Sequence, residues 1–167
     1  GGFAKTPRYQ GGGSSHINAH RVTSPLSLAS AYGTVQYAQG FYADRDERVS
    51  EWEKEALETA QQAEKIVVFA GLPDSFESEG YDRRHMRLPQ CQAQLIQQLT
   101  VLGKPVVVVL QNGSPVEMPW AERVQGILEA YLGGEAVGEA VMDLLYGKAN
   151  PCGKLAETFP MKLEDTP

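Results

Sequence analysis

Apolar positions along the chain follow two periods, one typical of strands and one typical of helices. Two runs, 65–70 and 106–110, are apolar at every position after Lys65 and rich in β-branched residues, which is typical of strands buried on both faces. Residues 34–41 alternate β-forming and small polar residues and predict a strand. Two further strands are predicted over 126–132 and, as an edge strand, over 155–159.

Helical spacing of apolar residues predicts the elements between these strands. A short helix is expected over 25–31, and a longer one opens at Ser50 with Glu53 as a capping box. Residues 88–102 predict a helix that Gly103 closes, and a short helix is expected near 120–123. The last helix begins at 133 and has its apolar residues at Ala136, Val137, Ala140, Val141, Leu144 and Leu145.

Strands that alternate with helices predict the α/β class and βαβ units. We expect residues 1–167 to form a single domain, a three-layer α/β/α sandwich with a mostly parallel sheet of about five or six strands. The last strand could run antiparallel at the edge, and residues 1–24 form a loop-rich opening segment. Ligands of such sheets gather at the carboxyl ends of strands, which directs attention to the loop after Ala70.

Charge and composition exclude some classes of partner but do not identify a function. The net charge of −6 argues against nucleic acid or an anionic membrane as a partner, and the apolar runs are too short to span a bilayer. The two cysteines, Cys91 and Cys152, make neither a disulfide framework nor a zinc site. Localisation is left open, although the lack of an apolar leader at residue 1 favours the cytoplasm.

The loop over 71–85 has 15 residues, where a βα connection usually takes about 2–6. It contains four carboxylates, two arginines and one histidine. Composition alone favours a solvated acidic loop with local Asp–Arg pairs of little energetic value.

The glycine-rich segment 11–16 is the other candidate. It lacks the spacings of phosphate-binding loops, so a flexible loop is the simpler interpretation. Ser14 and His16 do not form a hydrolytic triad pattern, and His16 with His20 lacks the pattern of a metal site. We therefore predict no metal and no organic cofactor.

Five sequence blocks, in order, resemble glycoside hydrolase family three of the β-glucosidase type. The most informative block is Phe-Glu-Ser-Glu-Gly-Tyr-Asp-Arg at 76–83, followed by Leu-Pro at 88–89. The other blocks lie at 5–15, 107–119, 130–135 and 150–155. The resemblance covers nearly the whole chain and identifies it as similar to that family's carboxy-terminal α/β sandwich domain.

This resemblance implies a function and a set of site residues. Such enzymes hydrolyse β-linked glucosides or oligosaccharides, and their sandwich has a (β/α)8-like barrel as partner domain. The barrel supplies the nucleophilic Asp from a Ser-Asp-Trp-type segment, and that segment is not in this chain. The resemblance makes Glu79 the general acid/base, with Glu77 as the runner-up because the loop spacing varies. It makes Ser14, Ser15 and Tyr81 the substrate-binding candidates. Without the barrel, the domain is expected to be inactive and Glu79 to titrate like an ordinary glutamate.

A competing interpretation is a non-catalytic α/β module that binds sugar or supports a barrel. A flavodoxin-like binding domain would require phosphate-loop chemistry that the sequence does not show.

Overall fold

A parallel sheet forms the centre of the protein. In a computed structural model that describes residues 1–166, strands β1 (Ile66–Gly71), β2 (Val106–Gln111) and β3 (Gly126–Glu129) lie in that order. Both pairs are parallel, with Ile66 opposite Val106 and Val107 opposite Gly126. All three strands therefore end at the same edge of the sheet, which we call the carboxyl edge.

Four α-helices pack around this sheet in two pairs. They are α1 (Pro25–Leu28), α2 (Ser50–Gln62), α3 (Gln90–Thr100) and α4 (Val137–Leu145). Helix α2 packs on α3, and α1 packs on α4. Short 3-10 turns occur at Gly2–Ala4, Ala29–Ala31, Ala121–Arg123 and Leu163–Asp165. No helix within residues 1–166 has the length and hydropathy needed to cross a membrane.

One hydrophobic core joins the strands to both helix pairs. Strand β2 contributes Val106, Val108, Val109 and Leu110, all fully buried. The helices add apolar side chains, and Trp120 is almost completely buried in the same cluster. Burial of this apolar surface is the main source of stability, and it makes the sheet a rigid support for the loops at its edge.

The α/β class with a parallel sheet is confirmed, but the expected number of strands is wrong. Residues 1–166 contain three strands, not five or six. The segments 34–41 and 155–159 are not strands. The end of the first segment lies beside residues 1–2, where the terminal amine of Gly1 donates to the Ala38 carbonyl (3.4 Å), but no ladder forms there. Strand β3 ends at Glu129 rather than at residue 132, and Tyr131 two residues later adopts a left-handed φ of 49°.

Two helix starts also differ from expectation. Helix α2 begins at Ser50, but its N-cap is Val49 and no capping box forms. The side chain of Glu53 instead accepts hydrogen bonds from Arg48 and Gln98. Helix α4 starts at Val137, after a turn in which Gly134 has a φ of 72°.

Candidate active site

Arg8 fastens the long loop after β1 to the rest of the domain. Its side chain is only 7% exposed. The guanidinium donates to the Asp74 carboxylate (3.1 Å), to the Glu77 carboxylate and to the Glu77 backbone carbonyl (2.9 Å). The backbone N–H of Arg8 donates to Gln111 Oε1 at the end of β2 (2.9 Å). A buried arginine thus joins the loop to the carboxyl edge of the sheet.

Glu77 is saturated with hydrogen-bond donors. Besides Arg8, its carboxylate accepts from the backbone N–H of Gly113 (2.8 Å) and from the hydroxyl of Ser114. Burial opposes ionisation, but the bonds from Ser114, Gly113 and Arg8 outweigh it and hold the pKa of Glu77 below its ordinary value. Glu77 is therefore an ionised anchor, with its oxygens already engaged.

Glu79, two residues further on, is exposed to solvent. Its carboxylate accepts the backbone N–H of Ser14, and Ser14 lowers the pKa of Glu79 through its side chain and its backbone N–H. This differs from the expectation of an ordinary pKa, because the glycine-rich segment supplies donors that the sequence did not reveal. Glu79 has one contact that fixes its position and an otherwise open approach.

The three proposed substrate-binding residues are placed differently. Ser14 lies directly against Glu79, and Ser15 is exposed on the same glycine-rich segment. Tyr81 is 49% exposed, and its hydroxyl donates to the backbone carbonyl of Asp74 (2.5 Å). The structure thus brings Ser14 and Glu79 together, whereas the Tyr81 hydroxyl bonds to the backbone of its own loop.

Glu129 belongs to the same edge and was not singled out in the sequence. Its carboxylate accepts from the Asn112 side-chain amide (3.2 Å) and from the backbone N–H of Tyr131 (3.0 Å). Burial raises the pKa of Glu129 to about 7, and the negative charge of Glu77 adds to the rise. The two hydrogen bonds lower this pKa but do not outweigh burial. Glu129 also borders an apolar groove of about 830 Å³ between β3, α4 and residues 149–155.

A modest sequence signal marks the positions of Asn112, Ser114 and Glu129. Asn112 and Ser114 follow a buried strand, at the end where ligand-binding loops are expected. Glu129 is a charged residue directly after the apolar pair Ile127 and Leu128. These positions marked the carboxyl edge, but nothing in the sequence showed which of them contact one another.

The histidines of the opening segment, His16 and His20, are exposed. His16 contacts the side-chain amide of Gln10, and no group of three or more metal-ligating side chains occurs within residues 1–166.

The chain resembles known proteins in both sequence and structure. The chain is 48% identical, over its whole length, to a thermostable β-glucosidase B of Acetivibrio thermocellus, of which it covers 23%. It is 43% identical to an exo-α-(1→6)-L-arabinopyranosidase of Bifidobacterium longum, of which it covers 22%. A solved β-glucosidase of glycoside hydrolase family 3 from Bifidobacterium adolescentis superposes with a TM-score of 0.91 at 46% identity, over 99% of this chain and 24% of that one.

The chain therefore spans about a quarter of the length of these relatives. The family model described as the glycosyl hydrolase family 3 C-terminal domain matches residues 1–167. The chain belongs to the glycosyl hydrolase family 3 C-terminal domain family.

Proposed function

We propose that this domain supplies the general acid/base, Glu79, to a retaining β-glycosidase whose other catalytic carboxylate lies in a barrel domain of the same protein. The observation that carries the proposal is the contrast between the two glutamates of the loop. The Glu77 carboxylate anchors the loop and accepts hydrogen bonds from Arg8, Gly113 and Ser114. The Glu79 carboxylate is exposed and accepts the Ser14 N–H. Relatives named β-glucosidases support the reaction class.

The proposed reaction has two steps that use Glu79 in opposite senses. Protonated Glu79 gives its proton to the departing glycosidic oxygen while the partner carboxylate attacks the anomeric carbon and forms a covalent glycosyl-enzyme. The resulting Glu79 carboxylate then takes a proton from the water that hydrolyses this intermediate. Retaining enzymes separate the two carboxyl groups by about 5–5.5 Å.

Such a mechanism requires Glu79 to hold a proton near neutral pH. Ser14 alone lowers the pKa of this carboxyl, so the rise has to come from the partner domain. A second carboxylate close by and the exclusion of water both favour the protonated form. The N–H of Ser14 then serves to fix where the carboxyl group points.

The proposed substrate is a terminal β-glucoside or a short β-linked oligosaccharide. Ser14, Ser15 and Tyr81 are proposed to contact its hydroxyl groups from this side. Relatives named exo-α-(1→6)-L-arabinopyranosidase make an α-L-arabinopyranoside a second substrate class to assay.

The test replaces Glu79 with alanine in the full-length protein. Because general acid catalysis contributes roughly 10²- to 10⁴-fold, kcat/KM for a natural disaccharide should fall by about that factor. An aryl glucoside with a good leaving group should be affected less, and azide should restore turnover with formation of a glycosyl azide, because azide attacks without a base. Glu58→Ala, which removes an exposed carboxylate of α2, is the control.

Unchanged disaccharide hydrolysis by Glu79→Ala would contradict the acid/base role. That result would favour the alternative, a sandwich that only binds sugar or supports the barrel.

A further inference from the structure

Glu129 is an unusual group for the end of a partly buried strand. Within residues 1–166 no salt bridge includes it, and its two hydrogen-bond donors, Asn112 and Tyr131, are neutral. A largely desolvated carboxylate without a cation lowers stability. Desolvated ionisable groups of this kind concentrate at functional sites. The role of Glu129 therefore depends on the parts of the site to which its two donors belong.

The first donor, Asn112, connects Glu129 to Glu77, which anchors the loop after β1. Asn112 is fully buried, and its side-chain amide donates both to Glu129 and to the backbone carbonyl of Ser114 (3.0 Å). These two contacts close the turn over 112–114. The same turn presents the Gly113 N–H and the Ser114 hydroxyl to Glu77.

The second donor leads to the glycine-rich segment. The backbone of Tyr131 is left-handed, with a φ of 49°, a conformation that is uncommon for a residue with a side chain. Glu129 accepts its N–H, and the turn that follows donates the Gly134 N–H to the Tyr9 carbonyl (2.9 Å). Tyr9 continues into the segment whose Ser14 N–H holds Glu79.

We propose that Glu129 is a positioning residue that orients Glu79 from two sides, through Asn112 and the Glu77 anchor and through Tyr131 and the glycine-rich segment. The inference rests on the proposed role of Glu79. Glu129 itself touches neither substrate nor Glu79. It fixes the positions of two turns at the carboxyl edge, the one after β2 and the one after β3. Loss of either turn would leave the acid in the site but poorly aligned with the leaving oxygen.

The experiment compares aryl β-glucosides of graded leaving-group pKa in the full-length enzyme. The value of kcat/KM covers formation of the glycosyl-enzyme, and its dependence on leaving-group pKa steepens when proton donation is impaired. Glu129→Gln keeps the size of the side chain and removes its charge. We expect a loss of about tenfold for the poorest leaving group, in line with misplacement of a reacting group by less than 1 Å, and less than threefold for the best.

Three further variants make the result decisive. Glu122→Gln changes an exposed glutamate before the other end of β3 and should leave the dependence unchanged. Glu129→Asp keeps the charge on a shorter side chain, and it replaces the glutamine variant if that protein does not fold. Glu79→Gln reports on the proposed function itself and should give the steepest dependence of all.

The outcomes separate the two proposals. If Glu79→Gln leaves the dependence unchanged, the acid/base role fails, and the positioning role fails with it. If Glu79→Gln steepens the dependence but the folded Glu129 variants lose activity equally for all leaving groups, Glu129 is only structural and the positioning inference is overturned.

Discussion

Gly13 shows how one residue without a side chain shapes the site. Its φ is 99°, and a Cβ atom placed there would lie 2.4 Å from the Cβ of Glu79. The glycine therefore permits both the left-handed backbone and the close approach of the glycine-rich segment to the proposed acid.

Gly13→Ala should weaken catalysis more than it weakens folding. The left-handed conformation costs roughly 1–2 kcal/mol for a residue with a Cβ, and the clash should also displace Glu79 and lower kcat/KM for a disaccharide by about tenfold or more. Gly103→Ala is a matched control, because Gly103 has a φ of 70° with open space around it. Equal activity of the two variants, measured alongside their thermal midpoints, would argue against packing of Gly13 on the acid.

At the same scale, the sequence predicted the candidates but not their contacts. The resemblance singled out Glu79 and Ser14, and the structure brings the two together. It could not separate Glu77 from Glu79, because the difference arises from Arg8 and Ser114, which are distant in sequence and close only after folding. Glu129 was missed for the same reason.

Among the elements, the loop after β1 is held in place by the buried cation of Arg8. The side chains of Arg8 and Glu77 are 7% and 18% exposed, so removing one would leave the other buried without its partner. Breaking a pair of this kind typically costs about 3–5 kcal/mol.

Arg8→Met should therefore destabilise the domain and disorder the loop. The methionine keeps an apolar stem and removes the guanidinium, so we expect a fall in the thermal midpoint and in kcat/KM for a disaccharide. Arg45→Met removes an exposed arginine that pairs with Asp44 and Glu47, and it should cost less than about 1 kcal/mol. The loop would not depend on Arg8 if the two variants unfolded at the same temperature.

Element prediction succeeded where burial alone decides the structure. The runs that became β1 and β2 are apolar on both faces and pair with each other. The segments 34–41 and 155–159 have suitable side chains, but a strand also requires a ladder with a partner backbone, which a pattern of side chains cannot supply. The capping box at Ser50 does not form because Val49, not Ser50, is the N-cap, and Glu53 accepts hydrogen bonds from Arg48 and Gln98 instead.

On the scale of the whole molecule, the candidate site is assembled from four separate stretches. Residues 8–14, the loop after β1, the turn after β2 and the turn after β3 meet because three parallel strands end at one edge. The rigid core holds this edge in place, and the carboxylate of Glu79 is exposed to solvent there. The two partly buried glutamates at this edge, Glu77 and Glu129, have pKa values shifted in opposite directions.

These opposite shifts predict how stability depends on pH. The pKa of Glu129 rises from 4.5 to about 7 on folding, so its contribution is fully present below about pH 4.5 and is lost as the pH rises to about 7. The lowered pKa of Glu77 has the opposite effect: its contribution is present above its ordinary pKa and is lost as the pH falls. Of the titratable groups near Glu129, Glu77 adds to its shift, and Tyr131, Cys152 and Lys154 border the same groove.

Glu129→Gln should remove only the first of these dependences. Because one pKa unit corresponds to about 1.4 kcal/mol, the thermal midpoint of the full-length variant should rise relative to wild type by a few degrees between about pH 4.5 and 7. Above that range the difference should be constant. Glu122→Gln should differ from wild type by the same amount at every pH, and a pH-independent difference for Glu129→Gln as well would show that Glu129 is not desolvated in the folded protein.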